Sequence, residues 1–321
     1  MKNYKAVRAK VVIVVAGPTA VGKTALSIRL AEYLGTEILS ADSRQCYREL
    51  NIGVARPSPE ELQHIPHYFV ASHSVGETVN AATYEQYALD AVEKIFSRSD
   101  TAVLVGGTGL YIRAFGEGLD EMPSIPEPVR AAVREGYRTG GLDWLQQELQ
   151  AADPAWYAAG ENRNPHRLMR ALEVFRATGR SIRHFQEGAA ATRDFHVIKI
   201  GLDLPRARLY ERINARVDQM MEQGLLEEVR ELLPYRQYKA LETVGYKELF
   251  AYLDGDMSLP DAITLIKQNT RHYAKRQVTW FRKDPGFAWF EPGEPEKIAA
   301  YVNAQLELIS ETPPAGRSPF F

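Results

Sequence analysis

Two features in the first fifty residues have the types and spacing to do chemistry together. Gly17-Pro18-Thr19-Ala20-Val21-Gly22-Lys23-Thr24 fits the pattern G-x-x-x-x-G-K-[ST]. Glycines at this spacing let backbone N–H groups turn inward around a phosphate, and the start of a following helix adds partial positive charge. Lys23 supplies a mobile cation, and the Thr24 hydroxyl supplies a ligand for Mg²⁺. All eight residues are therefore candidate diphosphate binders. The second feature is Asp42, which ends an apolar run at Ile38–Ala41. A carboxylate facing bound phosphate is either a metal ligand or a general base toward an acceptor. Read without the P-loop, Asp42 would be a turn residue ahead of Ser43.

What the P-loop does not contain narrows the chemistry. Motor ATPases and GTPases usually carry an acid at the end of a neighbouring strand to hold Mg²⁺. Here that strand ends in Val105-Gly106-Gly107-Thr108, with no acid. Ile112 stands where a dinucleotide fingerprint would place its third glycine. This layout favours group transfer to an acceptor over mechanochemistry.

These residues need a scaffold to bring them together. Val11-Val12-Ile13-Val14-Val15 reads as a strand buried on both faces of a parallel sheet. A helix follows from Lys23 to Leu34, with Leu26, Leu30 and Leu34 in register and Gly35 as C-cap. Glu37–Ala41 is the second strand, residues 52 to 80 are loop-rich, a helix covers about Ala82 to Phe96, and Thr101–Val105 is the third strand. Strand alternating with helix predicts an α/β fold, a P-loop NTPase-like parallel sheet flanked by helices. Asp42 then falls in the crevice at the carboxyl ends of the strands. After Gly118 the pattern becomes helical, and Asn164-Pro165 opens one helix that Gly179 closes. Strand character returns at Phe195–Leu202, followed by helices over about Arg206 to Leu233 and Pro260 to Lys283. The expected organisation is a first core segment at 1–118, an all-helical insertion domain at 119–191, a second core segment at 192–311 and a disordered tail at 312–321.

Composition limits the alternatives. A chain of 321 residues with 45% hydrophobic and 25% charged residues builds about two globular domains, or one with an insert. With 39 basic against 41 acidic residues the net charge is −2, so any nucleic-acid surface must be local. The single cysteine, Cys46, excludes a disulfide framework and reads as a buried structural thiol. His64 and His67 are not a helical metal pair, because Pro66 interrupts them. No apolar run is long enough to span a bilayer, so no membrane association is expected. The expected state is a cytoplasmic monomer, since no coiled-coil pattern demands more.

Local charge is uneven. Residues 163 to 184 hold six arginines (163, 167, 170, 176, 180 and 183) against one acid, Glu173. Arg167 and Arg170 share a helical face, with His166 near its start. Residues 262 to 283 hold Lys267, Arg271, Lys275, Arg276, Arg282 and Lys283. Such clusters suit backbone phosphates, although in isolation each would read as a solvated helix face.

Seven motifs occur in order: the P-loop as GPTAVGKT; Ser40–Gln45 with Tyr47 and Asn51-Ile52-Gly53; Leu104–Tyr111; His166–Val174; Arg212–Val217; Val244–Glu248; and Ala274–Phe281. Together they resemble the bacterial tRNA dimethylallyltransferases (tRNA isopentenyltransferases) from about Val12 to Arg282. The resemblance implies transfer of a dimethylallyl group from dimethylallyl diphosphate to N6 of the adenosine 3′ of the anticodon (position 37), in tRNAs reading UNN codons. It also implies Mg²⁺ and a helical insertion that grips the anticodon stem-loop. Carried onto this chain, Asp42 is the base, Thr24 holds the metal, and Arg216, beside the apolar stripe of its helix, contacts the diphosphate. Asp42, Ser43, Arg44, Gln45, Thr108, Arg130, His166, Arg167, Leu168, Met169 and Arg170 match positions near RNA.

The chain departs from the family pattern at His166, where Gln is commoner, and at Leu50-Asn51 and Val54-Ala55-Arg56, where Met-Asp and Thr-Ala-Lys are commoner. These positions bear on substrate detail rather than reaction class. Other readings keep part of the picture. A P-loop small-molecule kinase leaves the basic insert unused, as does an isopentenyltransferase acting on free adenine nucleotides. A non-catalytic RNA-binding protein would not need Lys23, Thr24 and Asp42 together.

Overall fold

The structure is a computed structural model and describes residues 9–160, 162–186, 188 and 191–311. The tail expected to be disordered, 312–321, lies outside the described residues. The chain forms two compact units, one of Gly118–Ala191 and the other of the stretches that flank it.

The larger unit begins with β1 (Val11–Ala16), α1 (Lys23–Leu34), β2 (Ile38–Ala41), α2 (Pro59–His64), β3 (His67–Tyr68), α3 (Ala81–Phe96), β4 (Thr101–Gly106) and α4 (Gly109–Glu117). The smaller unit holds α5 (Glu127–Ala152), α6 (Pro154–Ala158) and α7 (Pro165–Thr178), with no strand among its described residues. The larger unit resumes with β5 (His196–Leu202), α8 (Arg206–Glu222), α9 (Leu225–Glu231), α10 (Tyr246–Leu253), α11 (Leu259–Phe281), β6 (Phe287–Phe290) and α12 (Pro295–Glu311).

Six strands form one wholly parallel sheet in the order β3-β2-β4-β1-β5-β6. β1 is central, and its β-branched run is buried on both faces. Val12 and Val14 join Leu39, Leu104, Tyr84 and Phe115 in one core, while Val11, Ile13 and Val15 join Leu26, Leu30, Ile200 and Ile213 in the other. This is the period-two alternation of a strand covered by helices on both sides. In the smaller unit α5 packs mainly on α7 around Val133, Leu145, Leu149, Trp156, Leu168 and Leu172. α5 is interrupted at Gly141, whose backbone is not helical.

Five features go beyond the sequence expectation. The single helix expected from Arg206 to Leu233 is two, because Gly224 takes a left-handed conformation (φ 97°) after α8 and starts α9. The loop-rich stretch 52 to 80 contains α2, with Ser58 and Glu61 as a capping box, and the two-residue β3. β6 is a short aromatic edge strand, and α12 covers one sheet face through Ile298 and Val302. Among the described residues no helix is long and apolar enough to cross a membrane.

Candidate functional site

β2, β4 and β1 are adjacent and parallel, so the segments that follow them stand side by side at one sheet edge. Asp42–Gln45 follows β2, Gly107-Thr108 follows β4 and the P-loop follows β1. Three segments distant in sequence therefore share the crevice at the strands' carboxyl ends, the usual ligand position in an open α/β sheet.

The P-loop is held in a conformation that requires its glycines. Gly17 has φ 151°, and a Cβ there would fall 2.5 Å from the Leu202 carbonyl oxygen at the end of β5. Ala20 is also left-handed (φ 64°), a strain that marks functional loops. Lys23 Nζ reaches back across the loop and donates to the carbonyls of Gly17 (3.0 Å) and Pro18 (2.8 Å). Burial brings the Lys23 ammonium down from 10.5 to about 8, against an upward pull from the Asp42 carboxylate, while Arg216 adds to the lowering.

The Asp42 turn is organised by its own side chain. Asp42 Oδ1 accepts the N–H groups of Arg44 (2.8 Å) and Gln45 (3.2 Å), an Asx-type turn. Ser43 N–H donates to Thr108 Oγ1 (3.1 Å), and Thr108 N–H donates to the Ala41 carbonyl (3.2 Å), which joins the β2 and β4 turns. Gln45 Nε2 donates to the carbonyls of Val54 (3.3 Å) and Ala55 (2.9 Å). The same loop is held from its other side by Glu228, which accepts from the N–H groups of Ile52 (2.7 Å) and Gly53 (3.2 Å) and from the Tyr246 hydroxyl (2.6 Å). Arg44 Nη1 donates to the Ala240 carbonyl at 3.1 Å.

Two cavities meet here. The larger, about 930 Å³, has Lys23, Thr24, Asp42, Gln45, Arg212 and Arg216 in its walls. The smaller, about 200 Å³, shares Thr19, Asp42, Arg216 and Tyr273 with it. Ser43, Arg44 and Thr243 line the smaller one beside apolar Ile213, Val217, Leu225 and Ile266. Burial lowers the Arg216 guanidinium from its ordinary value, Asp42 opposes that, and Arg212 adds to it. Desolvation and the nearby Asp42 carboxylate push the Tyr273 hydroxyl up to about 12. Cys46 is fully buried with its thiol pushed up to about 12, chiefly by burial, as suits a structural residue.

The Thr24 hydroxyl and the Asp42 carboxylate both line the larger cavity and offer oxygens of the kind a hard cation takes. Among the described residues no group of three or more His, Cys, Asp or Glu could cage a metal. A hydroxyl and a carboxylate on one cavity wall nevertheless suit Mg²⁺, which keeps waters and takes further oxygens from phosphate. The residues present fit such an ion.

The structure thus gathers the P-loop, Asp42, Arg216, Ser43, Arg44, Gln45 and Thr108 in one unit. The remaining residues matched to RNA lie in the smaller unit. Asn164 caps α7 by accepting from His166 and Arg167 N–H (3.1 and 3.4 Å). His166 and Arg167 are exposed, and Arg170 is half-buried at 3.9 Å from Glu173. Arg130 is half-buried, with an Nε that has no hydrogen-bond partner. Leu168 points the other way. Its side chain is 0% exposed in the core of the smaller unit, because the helical period turns it away from Arg167, so it supports the face rather than presenting to a ligand. Met169 also packs partly against that core.

The second basic cluster is partly spent inside the larger unit. Lys267 pairs with Asp218 (2.6 Å) and Arg271 with Asn214 (2.8 Å), while His272, Lys275, Arg276 and Lys283 surround exposed Trp280. Sequence reasoning assigned no role to Arg212, Tyr273 or Gln277. The signal was present for each. Arg212 lies one turn before Arg216, and Tyr273 one turn before Gln277, so each pair shares a helix face.

A parallel sheet with a P-loop after its central strand, and an acid and an arginine across the crevice, defines a phosphate-binding α/β protein of the P-loop type, built for group transfer. Residues 45–284 match the family model described as IPP transferase, and the chain belongs to that family. The tRNA dimethylallyltransferase of Cytophaga hutchinsonii is 45% identical over 93% of this chain and 98% of its own length. The tRNA dimethylallyltransferase 1 of Bacteroides fragilis is 44% identical over 93% and 99%. The crystal structure of the full-length tRNA isopentenylpyrophosphate transferase from Bacillus halodurans superposes with a TM-score of 0.70 at 35% identity, covering 95% of this chain and 99% of that one. A eukaryotic dimethylallyltransferase acting on tRNA superposes at 0.76 with 26% identity, over 96% and 82%.

Proposed function

We propose that the protein transfers the dimethylallyl group of dimethylallyl diphosphate to N6 of the adenosine 3′ of the anticodon, in tRNAs that read UNN codons. The observation that carries this reading is the place of Asp42, on the wall common to the P-loop cavity and the smaller cavity. A base there reaches an acceptor presented from one side and a donor held on the other. In the transfer, the bond from the allylic carbon to its diphosphate oxygen breaks and the bond from that carbon to N6 forms. The N6 proton passes to the Asp42 carboxylate, and diphosphate leaves. A neutral aromatic amine is a poor nucleophile, so holding it in line with the allylic carbon contributes more than basicity.

The leaving diphosphate gathers charge, and the P-loop N–H groups, Lys23 and Arg216 are placed to stabilise it. Thr24 would hold Mg²⁺, which would supply further positive charge to the diphosphate oxygens and leave the Asp42 carboxylate to take the proton. Ser43, Arg44, Gln45 and Thr108 would position the adenosine, which must leave its stack to be reached. Arg130, His166, Arg167 and Arg170 would contact the stem-loop backbone from the helical insertion. We place the reaction in the cytoplasm, carried out by a monomer.

The test is labelled dimethylallyl diphosphate offered to three acceptors in parallel: tRNA with adenosine 3′ of the anticodon, the same tRNA with that base changed, and AMP. Label on the first alone is the expected result. Label on AMP would reassign the acceptor to free nucleotides, and ATP turnover without prenyl transfer would make the protein a kinase.

A further inference from the structure

Gln277 joins segments that the sequence keeps far apart. It lies on α11, is 6% exposed and lines the larger cavity. Its Oε1 accepts the N–H of Thr19 at 2.8 Å, and its Nε2 donates to the carbonyl of Gly107 at 2.9 Å. The partners fix the amide's orientation, because the Thr19 N–H can only donate and the Gly107 carbonyl can only accept. The fit is close: a Cβ on Gly107 would fall 2.1 Å from Nε2.

We propose that Gln277 is a positioning residue that sets the diphosphate cradle and fixes its distance from Asp42. The proposal rests on the transferase reading above and adds a residue that acts through others. Thr19 N–H is committed to Gln277, and Lys23 Nζ to the Gly17 and Pro18 carbonyls. The first half of the P-loop is therefore held from outside by Gln277 and from within by Lys23, which leaves the N–H groups around Gly22–Thr24, at the start of α1, to face the phosphates. The other end of the amide holds Gly107. Its neighbour Thr108 accepts from Ser43 N–H and donates to Ala41, the residues on either side of Asp42. One side chain thus joins the loop that holds the leaving group to the turn that carries the base. Misplacing either by about 1 Å costs rate far beyond what the lost hydrogen bonds would suggest.

Two variants of the full chain test this. Gln277→Met keeps volume and removes both hydrogen bonds. Gln277→Glu is isosteric with the amide while protonated, since a neutral carboxyl also offers one donor and one acceptor, but as an anion it opposes the Gly107 carbonyl. The probes are inorganic diphosphate by titration calorimetry, steady-state transfer from dimethylallyl diphosphate, and binding of an anticodon stem-loop.

For Gln277→Met the diphosphate Kd should rise and kcat fall, each roughly tenfold, while stem-loop Kd stays within about twofold. For Gln277→Glu the diphosphate Kd, taken as a ratio to wild type at each pH, should approach one where the introduced carboxyl is protonated and rise toward the Gln277→Met value where it is ionised. Taking the ratio at each pH removes the pH dependence that the two enzymes share. A ratio near one at every pH, or a Gln277→Met enzyme with wild-type donor KM and kcat and only a lower Tm, would overturn the proposal and leave Gln277 a packing residue. If the wild type binds diphosphate in this Gln277-dependent way yet prenylates no tRNA, the positioning role stands and the acceptor assignment falls.

Discussion

Asp42 and Arg167 were both matched to RNA on sequence, and the structure puts them in opposite physical settings. Asp42 is held by two backbone N–H groups, in a turn stitched to Thr108, on a wall shared by two cavities. Arg167 sits exposed on α7, with its backbone N–H capped by Asn164. The first arrangement is what chemistry needs, a group fixed before the substrate arrives. The second suits a charged polymer, an exposed cation on a helix whose contact is mostly counterion release. If this difference is real, substitutions in the crevice should act on the chemical step and donor binding, and those on α7 on affinity and its salt dependence.

Asp42→Asn should have the largest effect. The amide oxygen still accepts from Arg44 and Gln45, so the turn survives, but no base remains. We expect kcat to fall about a thousandfold, with donor KM changed less than about threefold. Single-turnover transfer to tRNA checks it. A fall of under tenfold would show that positioning alone drives the reaction and would erase the contrast with α7.

Lys23 gives the next effect and a pH signature. Its folded value of about 8 lies below its ordinary 10.5. The charged form, which binds diphosphate, is therefore complete below pH 8 and is lost from the free enzyme as pH rises through it. Donor kcat/KM should fall about tenfold per pH unit above that point until the bound-state value is reached. The sign for stability is opposite. The unfolded chain holds the proton more tightly, so folding stability rises between pH 8 and 10.5 as the buried ammonium is relieved. Lys23→Met should lose about a hundredfold in kcat/KM at pH 7 and show no such fall, because the titrating group is gone.

Leu168→Ala tests whether this residue supports the face of α7 or contacts RNA. It empties a fully buried site, so the smaller unit should lose about 2–5 kcal/mol, read as a lower urea midpoint for that unit. Stem-loop affinity measured well below the transition should remain near wild type. A loss of affinity without loss of stability would return Leu168 to the binding face.

The difference between the two regions also explains what the sequence revealed. The P-loop was legible because strand, turn and helix are contiguous, so the motif and its confirming context occupy one short stretch. Asp42 was legible because a parallel sheet carries every strand's carboxyl end to the same edge, wherever the chain has been in between. Gln277 was not, since its partners lie 258 and 170 residues away and α11 reads locally as a basic helix. β3 is too short for any period, and β6 reads as an aromatic cluster until β5 pairs with it. The α8–α9 break was missed because the apolar pattern runs past Gly224 while the backbone does not. On α7 the error had the opposite cause. A motif match treats His166–Arg170 as one string, whereas the helical period sends Leu168 inward and Arg167 outward.

The smallest effect expected is on that outward face. Arg167→Ala should weaken stem-loop binding about fivefold and lower the slope of log Kd against log salt by about 0.7 to 0.9, one phosphate contact. Arg170→Ala should do less, because its side chain is half-buried where Arg167 is exposed. Neither change should alter kcat at saturating tRNA. Lys23→Met is the internal control, since it should move donor kinetics and leave the tRNA salt slope alone. If Arg167→Ala instead lowers kcat with the slope unchanged, α7 does more than grip the backbone, and the division of labour between crevice and insertion has to be redrawn.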